Sequence, residues 1–243
     1  MIVLLTDFGE SEFVGIMKGV ILGHAPNTKI VDLTHSISPQ SVREAAWVLL
    51  QSFESFPLGT TFVCVVDPGV GTERDAIFAK SSNYFFIAPD NGLLSPTMRK
   101  DGIGEIFSLR IDSTSSRTFH GRDVFAKAAG LLENGDLESM IQGKKNGLDI
   151  EIAFHLKGRE GEVVRIDHFG NIVTNLSPLS KDRFQLRMSG MERELVQCMT
   201  YADGPDDDIF AIVGSAGTLE VSLRNGRAID RVSAKIGDRI TLE

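Results

Sequence analysis

Residues 60–72, TTFVCVVDPGVGT, place an uninterrupted strand-forming run directly before an Asp-Pro-Gly turn. The run from Thr60 to Val66 has no polar alternation, which is typical of a strand buried on both faces of a sheet. Cys64, in the middle of the run, is expected to be a buried apolar residue. Such strands occur where helices cover both faces of a parallel sheet, so this stretch predicts an α/β fold.

The segments around this strand alternate short strands with amphipathic helices. Strands are predicted over residues 2–6, 29–34, 76–79 and 84–88, and helices over residues 13–22 and 122–132. A further helix runs toward Phe53, and it starts either at Ser38-Pro39 or at the capping box formed by Ser41 and Glu44. This alternation predicts an N-terminal, mostly parallel α/β sandwich domain over residues 1–145.

The second half of the chain has no helical periodicity. Short alternating runs separated by turn residues lie at 162–166, 172–175, 184–188, 194–199, 209–213, 218–223 and 239–242. They predict a smaller C-terminal β-barrel domain over residues 155–243. The polar stretch over residues 142–149 is the predicted linker.

Composition excludes several classes of protein. The chain has 243 residues, 25 Lys and Arg against 33 Asp and Glu, and a formal net charge of -8. The acidic balance argues against a nucleic-acid partner, and no apolar run is long enough to cross a membrane. The N-terminus lacks the features of a signal peptide, so a cytoplasmic location is expected. The two cysteines show no metal-type spacing, and neither a metal nor a cofactor is expected.

Three predicted strands end in polar loops that contain an aspartate. Asp7, Asp67 and Asp90 each follow apolar sequence directly, and together they favour a shared site rim at the carboxyl ends of the strands. Taken singly, Asp7 and Asp90 fit a helix cap or a turn equally well. A carboxylate at Asp7 fits the two hydroxyls of a ribose, because an ionised carboxylate only accepts hydrogen bonds. The glycines after Asp67 lack a phosphate-loop pattern and are interpreted as turn residues.

Two further loops carry side chains suited to binding or proton transfer. His120 precedes a predicted helix, where backbone donors converge on ligands, and its ordinary pKa of about 6.5 suits an acid or base. The loop from Asp167 to Asn171 is either a hairpin turn or a binding loop. Asn171 has the donor and acceptor that pair with an adenine edge, and Phe169 and Tyr201 have rings that stack on a base.

Six motifs in this order resemble the S-adenosylmethionine hydroxide adenosyltransferases, also called S-adenosylmethionine hydrolases, which are relatives of fluorinases and chlorinases. The motifs are TDFG (6–9), VVDPGVGT (65–72), APDNGLL (88–94), FHGRDVFA (119–126), DHFGNIVTN (167–175) and GSAGTLEVSLRNG (214–226). The resemblance implies an α/β domain followed by a β-barrel. It also implies a homotrimer with active sites at interfaces between neighbouring subunits.

The resemblance also implies roles for individual residues. Asp67, Arg74 and His120 correspond to a catalytic set, called below the Asp-Arg-His set, which the halogenases lack. Asp7 corresponds to the ribose-binding aspartate. The expected contacts to adenine and to the methionine moiety are made by Asp167, Phe169, Asn171 and Ser215, with Tyr201 and Glu220 matching less closely. One departure is Gly214, which stands where the family usually has Asn.

The implied reaction is attack of an activated water on C5′ of S-adenosyl-L-methionine, which yields adenosine and L-methionine. The sulfonium makes methionine a neutral leaving group, so the difficulty lies in activating water, whose pKa is about 15.7. The Asp-Arg-His set is suited to orient that water and stabilise its proton. Two alternatives stay open: a ligand sensor with negligible turnover, and a halide-dependent adenosyltransferase.

Overall fold

The computed structural model describes residues 1–188 and 190–243. The chain forms two compact units, Met1–Ile152 and Ala153–Glu243. Among the described helices, none has the length and apolar character needed to cross a membrane. The predicted fold class is confirmed, because the first unit is α/β and the second is a closed barrel.

The first unit is built on a seven-stranded mixed sheet. Its strands are β1 (Ile2–Thr6), β2 (Ile30–Thr34), β3 (Thr61–Val65), β4 (Ala76–Ser81), β5 (Phe85–Pro89), β6 (Ile103–Leu109) and β7 (Ile141–Lys145). Their spatial order is β2-β1-β3-β5-β4-β6-β7. The predicted parallel pairing holds for the neighbouring strands β2, β1, β3 and β5. The remaining pairings are antiparallel, so the sheet is parallel over only part of its width.

Helices cover both faces of this sheet. They are α1 (Glu12–His24), α2 (Val42–Ser52), α3 (Ser95–Asp101) and α4 (Lys127–Asn134), with a π-helical segment, Gly121–Ala126, leading into α4. Of the two predicted starts for α2, the one at Ser41 is correct, because its side chain accepts a hydrogen bond from the Glu44 amide at 3.4 Å. The carboxylate of Glu44 instead accepts from the backbone of Ser38 at 2.9 Å.

Strand β3 is buried on both faces, as its unbroken apolar sequence predicts. Phe62 and Cys64 face an apolar cluster that includes side chains of α2 and α3. Val63 and Val65 face a second cluster, which includes side chains of α1 and α4. Two apolar layers therefore hold the strand rigidly, and the loop that follows it starts from a fixed point.

The linker prediction for residues 142–149 is wrong over its first half. Residues 142–145 belong to β7, which pairs with β6 at the edge of the sheet. An edge strand pairs on one side only and can be polar and partly exposed, so β7 lacks the apolar pattern that reveals a buried strand. The division between the two compact units falls later, between Ile152 and Ala153.

The second unit is a closed barrel of seven strands with its own apolar core. The strands are β8 (Glu160–Ile166), β9 (Ile172–Thr174), β10 (Arg183–Met188), β11 (Met191–Cys198), β12 (Ile209–Val213), β13 (Leu219–Leu223) and β14 (Arg239–Leu242). Their order around the barrel is β10-β11-β12-β13-β9-β8-β14, and β14 pairs with β10 to close it. All pairings are antiparallel except β11 with β12. Closure leaves the barrel without free edges.

Candidate active site

The three residues of the Asp-Arg-His set come together in the first unit. Asp67 follows β3, Arg74 precedes β4, and His120 lies directly before the π-helical segment. The Arg74 guanidinium donates from Nε to Asp67 Oδ1 at 2.9 Å and from Nη2 to Asp67 Oδ2. Its Nη2 also lies 2.8 Å from His120 Nδ1. The Arg74 and Asp67 side chains are 10% and 6% exposed, so the ion pair is largely shielded from water.

This geometry determines the protonation of His120. Arginine has donors but no acceptor, so His120 Nδ1 must accept the hydrogen bond and the ring proton must be on Nε2. Burial lowers the pKa of His120, and the neighbouring Arg74 charge lowers it further against the opposing effects of Asp67 and Asp123. His120 is therefore a neutral imidazole at physiological pH, with an N–H to donate.

Asp7, Asp67 and His120 line one cavity of about 400 Å³. Asp7 Oδ2 accepts a hydrogen bond from the Gln40 backbone N–H at 2.8 Å. Gln40 adopts φ 65°, a left-handed conformation that is uncommon for a residue with a side chain. The backbone therefore bends at Gln40 to orient the Asp7 carboxylate.

Aromatic side chains form the apolar part of the same cavity. Phe8, Phe13 and Phe119 pack edge to face, with ring centroids 4.9 to 6.1 Å apart. Carboxylates and aromatic rings thus line one space, which suits a ligand with both polar and flat apolar parts.

The predicted rim of three aspartates is wrong for Asp90. Asp7 and Asp67 share the cavity, whereas the Asp90 side chain is fully buried and lies 2.9 Å from Lys145 Nζ. Lys145 is on β7, which sequence reasoning did not identify, so nothing in the sequence pattern indicated this partner. Asp75 and Asp149 also contact the Lys145 ammonium, at 2.5 and 2.7 Å. The ammonium supplies the positive charge among these three carboxylates, whose spacing would otherwise suit a metal ion.

All six predicted residues of the second unit line a single cavity of about 670 Å³. They are Asp167, Phe169, Asn171, Tyr201, Ser215 and Glu220. Sequence reasoning assigned no role to the cavity residues from the end of β13 onward, namely Leu223, Asn225, Gly226 and Arg227. Asn225 has φ 53°, and the Asn-Gly pair in the sequence was the available sign of a sharp turn there.

Hydrogen bonds within this second cavity orient its polar side chains. Asp167 accepts from the Asn171 backbone at 2.8 Å and from its side-chain amide nitrogen at 2.9 Å, which fixes the orientation of the Asn171 amide. Tyr201 donates to Glu220 Oε2 at 3.2 Å. Burial raises the pKa of Glu220, and burial together with Glu220 raises the pKa of Tyr201 to about 12.

Gly214 is explained by Glu220. A Cβ added at Gly214 would overlap the Glu220 carboxylate where it stands beside Tyr201. The absence of a side chain at Gly214 and the inward position of Glu220 are therefore coupled. By contrast, Phe169 is 71% exposed at the edge of the cavity, so its ring is available to a ligand.

Comparisons with known proteins show the family of the chain. Residues 2–141 match the SAM hydroxide adenosyltransferase N-terminal domain, and residues 161–241 match the C-terminal domain of the same family. A relative from Thermus thermophilus, named (R)-S-adenosyl-L-methionine hydrolase, is 34% identical over 98% of this chain and 97% of its own length. A fluorinase from Nocardia brasiliensis is 28% identical over 97% of this chain and 91% of its own.

The fold is also similar to that of a solved structure. A crystal structure of an uncharacterized conserved protein from Thermotoga maritima superposes with a TM-score of 0.90. The two chains are 33% identical, and the similarity covers 100% of each.

Proposed function

The chain belongs to the SAM hydroxide adenosyltransferase family, and on this basis we propose that it is an enzyme that hydrolyses S-adenosyl-L-methionine to adenosine and L-methionine. The observation that carries the proposal is the contact of Arg74 with both Asp67 and His120 beside the cavity that Asp7 lines. This arrangement places a carboxylate, a guanidinium and a neutral imidazole next to a space for a nucleoside.

The reaction displaces methionine at C5′. A bond forms between the water oxygen and C5′, the C5′–S bond breaks, and its electron pair stays on sulfur. The products are adenosine, methionine and one proton, so charge balances against the sulfonium. Because the leaving group is neutral, the residues of the cavity have mainly to orient water and receive that proton.

Within the Asp-Arg-His set, Asp67 is the proposed proton acceptor. His120 Nδ1 already accepts from Arg74, and Nε2 carries the ring proton, so neither nitrogen is free to take a proton from water. His120 is instead suited to donate from Nε2 to the water or the forming hydroxide. Arg74 fixes the positions of Asp67 and His120. It also supplies positive charge next to the water oxygen, where negative charge develops as the water loses its proton.

The substrate contacts are proposed from both cavities. Asp7 is suited to bind the ribose hydroxyls, because its carboxylate lines the first cavity and an ionised carboxylate offers acceptors only. In the second unit, the Asn171 carbonyl is suited to accept from the adenine amino group, and Phe169 and Tyr201 to stack on the ring. Asp167 and Glu220 carry the acidic groups that attract the methionine ammonium, and Ser215 has a hydroxyl to donate to its carboxylate.

We further propose a homotrimer, in which the active site is completed at an interface between neighbouring subunits. The first unit contributes a cavity with Asp7, Asp67 and His120, the second contributes a cavity with Asp167 and Asn171, and each offers part of the contacts that the substrate needs. The family resemblance supports this assembly.

The function is tested by chromatography after incubating the purified protein with S-adenosyl-L-methionine in oxygen-18 water, with and without halide. Both sulfonium epimers are assayed separately, because the Thermus relative is named for the R form. We expect adenosine labelled at the 5′ oxygen, unlabelled methionine, and no dependence on halide. Product should be lost in His120→Ala.

Either of two other results contradicts the proposal. Tight binding of S-adenosyl-L-methionine with no adenosine above the uncatalysed background indicates a sensor. A 5′-halogenated nucleoside that forms only when halide is present indicates a halide-dependent adenosyltransferase.

A further inference from the structure

Lys145 lies at the centre of three carboxylates in the first unit. Its Nζ is 2.5 Å from Asp75, 2.9 Å from Asp90 and 2.7 Å from Asp149. The Lys145 side chain is 13% exposed and that of Asp90 is fully buried. We call Lys145 and these three aspartates the Lys145 cluster. None of the four lines the cavity that holds Asp7, Asp67 and His120.

The Lys145 cluster is joined to the Asp-Arg-His set through the backbone. Asp75 directly follows Arg74, and both precede β4 in a segment without regular structure. The Asp75 carbonyl accepts from the Asp90 N–H at 2.9 Å, and the Asp75 carboxylate binds Lys145. Asp75 is thus held at its backbone by Asp90, the residue that follows β5, and at its side chain by Lys145 on β7.

We propose that Lys145 is a positioning residue for Arg74: by holding Asp75, it fixes the backbone from which the Arg74 side chain reaches Asp67 and His120. The kinetic consequences rest on the proposed hydrolase function, whereas the structural link does not. Arg74 makes its contacts to Asp67 and His120 from an irregular segment. A fixed neighbouring residue therefore keeps the Arg74 guanidinium aligned with both partners.

Charge balance explains why a lysine is needed at this place. Oxygens of the three carboxylates lie within 4.8 Å of one another, and one of the three groups is buried. Burial lowers the pKa of Lys145, but hydrogen bonds to Asp149, Asp75 and Asp90 outweigh this effect and raise it overall. Without the ammonium the carboxylates repel one another, and Asp75, as the partly exposed member next to Arg74, is free to move away.

The test compares two variants that each remove one carboxylate contact of Lys145. Asp75→Asn removes the ion pair between Lys145 and the residue next to Arg74. Asp149→Asn removes an ion pair of Lys145 of similar length, with a residue remote from Arg74 in sequence. Both keep Lys145 beside buried Asp90, which protects folding. We expect kcat for S-adenosyl-L-methionine to fall about 10- to 100-fold in Asp75→Asn, with KM changed little, and to stay near wild type in Asp149→Asn.

A second readout does not depend on turnover. The pKa of His120, followed by NMR, is expected to rise in Asp75→Asn, because Arg74 lowers it in the wild type. The charged groups that act on His120 are Arg74, Asp67 and Asp123. Loss of a carboxylate elsewhere would by itself lower a histidine pKa, so a rise reports displacement of Arg74. Asp149→Asn should leave the pKa of His120 unchanged or slightly lower, and should not raise it.

Lys145→Met and Lys144→Met form a second matched pair. Lys144 is its neighbour on β7 and pairs with exposed Glu105, so its loss should affect neither kcat nor the His120 titration. Lys145→Met should change both kcat and the His120 titration. Lys145→Arg keeps the positive charge and should change both by less. Equal effects of Asp75→Asn and Asp149→Asn, or an unchanged His120 pKa in Asp75→Asn, would overturn the proposal. If the wild type shows no turnover, the hydrolase proposal fails, and the His120 titration still decides this one.

Discussion

The hydrogen bond from Arg74 to His120 makes the acid limb of the activity profile predictable. A second proton on His120 would have to go to Nδ1, where Arg74 Nη2 already donates at 2.8 Å, so protonation breaks this contact. Burial, then Arg74, lowers the pKa of His120 below its ordinary value of 6.5. We therefore expect kcat to stay level as pH falls to 6.5 and to decrease only at lower pH.

This prediction is checked by measuring kcat from about pH 5 to about pH 8 in wild type and in His120→Gln. The glutamine variant should be much slower and should lose the acid limb attributed to His120. An acid limb with its midpoint above 6.5 in the wild type would show that His120 is stabilised in its charged form, contrary to the geometry.

Asp7 allows a prediction about substrate recognition. Its carboxylate accepts from the Gln40 backbone at 2.8 Å and, as proposed, from the ribose hydroxyls. Asp7→Asn replaces one acceptor oxygen by a donor, so we expect KM to rise about 10- to 100-fold, as for loss of a hydrogen bond to a charged group. The check is to repeat the comparison with the 2′-deoxyribose analogue of the substrate, for which the loss should be much smaller. Equal losses for both substrates would place Asp7 away from the ribose.

At the scale of elements, Gly71 controls how two loops pack. It has φ +77°, and a Cβ added there would overlap the carbonyl oxygen of Arg117. The loop of Gly71 leads from Asp67 to Arg74, and the backbone at Arg117 leads to His120. Contact between these loops therefore requires glycine, both for its backbone conformation and for the space it leaves.

We expect Gly71→Ala to lower kcat about tenfold or more and to lower the free energy of unfolding. Gly59→Ala is the matched control, because Gly59 has φ +80° with no atom within 4 Å of the added Cβ. It should cost only the strain of the left-handed conformation, about 1 to 2 kcal/mol, without affecting kcat. Urea unfolding and steady-state kinetics on both variants separate the two effects, and similar kcat values in both would show that the loop contact is unimportant.

Local sequence predicted the elements whose burial imposes a simple pattern of apolar and polar residues. β3 is buried on both faces, and its unbroken apolar run indicated this directly. Seven strands were predicted in the barrel, and seven are described there. β6, β7 and α3 were missed, since β7 is a polar edge strand and α3 is only seven residues long.

The candidate site was predictable in composition but only partly in arrangement. Asp67, Arg74 and His120 were assigned through the family motifs; the structure brings the three side chains into contact, and their catalytic roles stay a prediction. The rim role of Asp90 was wrong because its partner, Lys145, lies 55 residues later on a strand that no local pattern revealed. Residues beyond β13, such as Arg227, were missed because their local sequence predicts a turn but does not show whether the turn lines a cavity.

At the scale of the whole molecule, the division of the proposed site residues between two units bears on assembly. The first unit holds the Asp-Arg-His set with Asp7, and the second holds the residues proposed for adenine and methionine. Each unit has its own apolar core, so substitutions in one cavity should leave the other unit folded. Variants disabled in different units can therefore be combined in one assembly.

The proposed trimer predicts that two inactive variants recover activity when their subunits are mixed. Asp67→Ala disables the first unit and Asp167→Ala the second. Each variant alone should be inactive. If a site joins the first unit of one subunit to the second unit of its neighbour, equal and random mixing leaves about one quarter of the sites with both parts intact.

The measurement is hydrolysis by co-refolded or co-expressed mixtures, compared with the sum of the separate variants, with mass determined by light scattering. Recovery near a quarter of wild-type activity, in a species of three subunits, supports sites shared between neighbours. Mixed assemblies that form without gaining activity would contradict shared sites. The ratio is informative because folding, affinity and chemistry are the same in every complete site, so that only the pairing of subunits determines how many such sites exist.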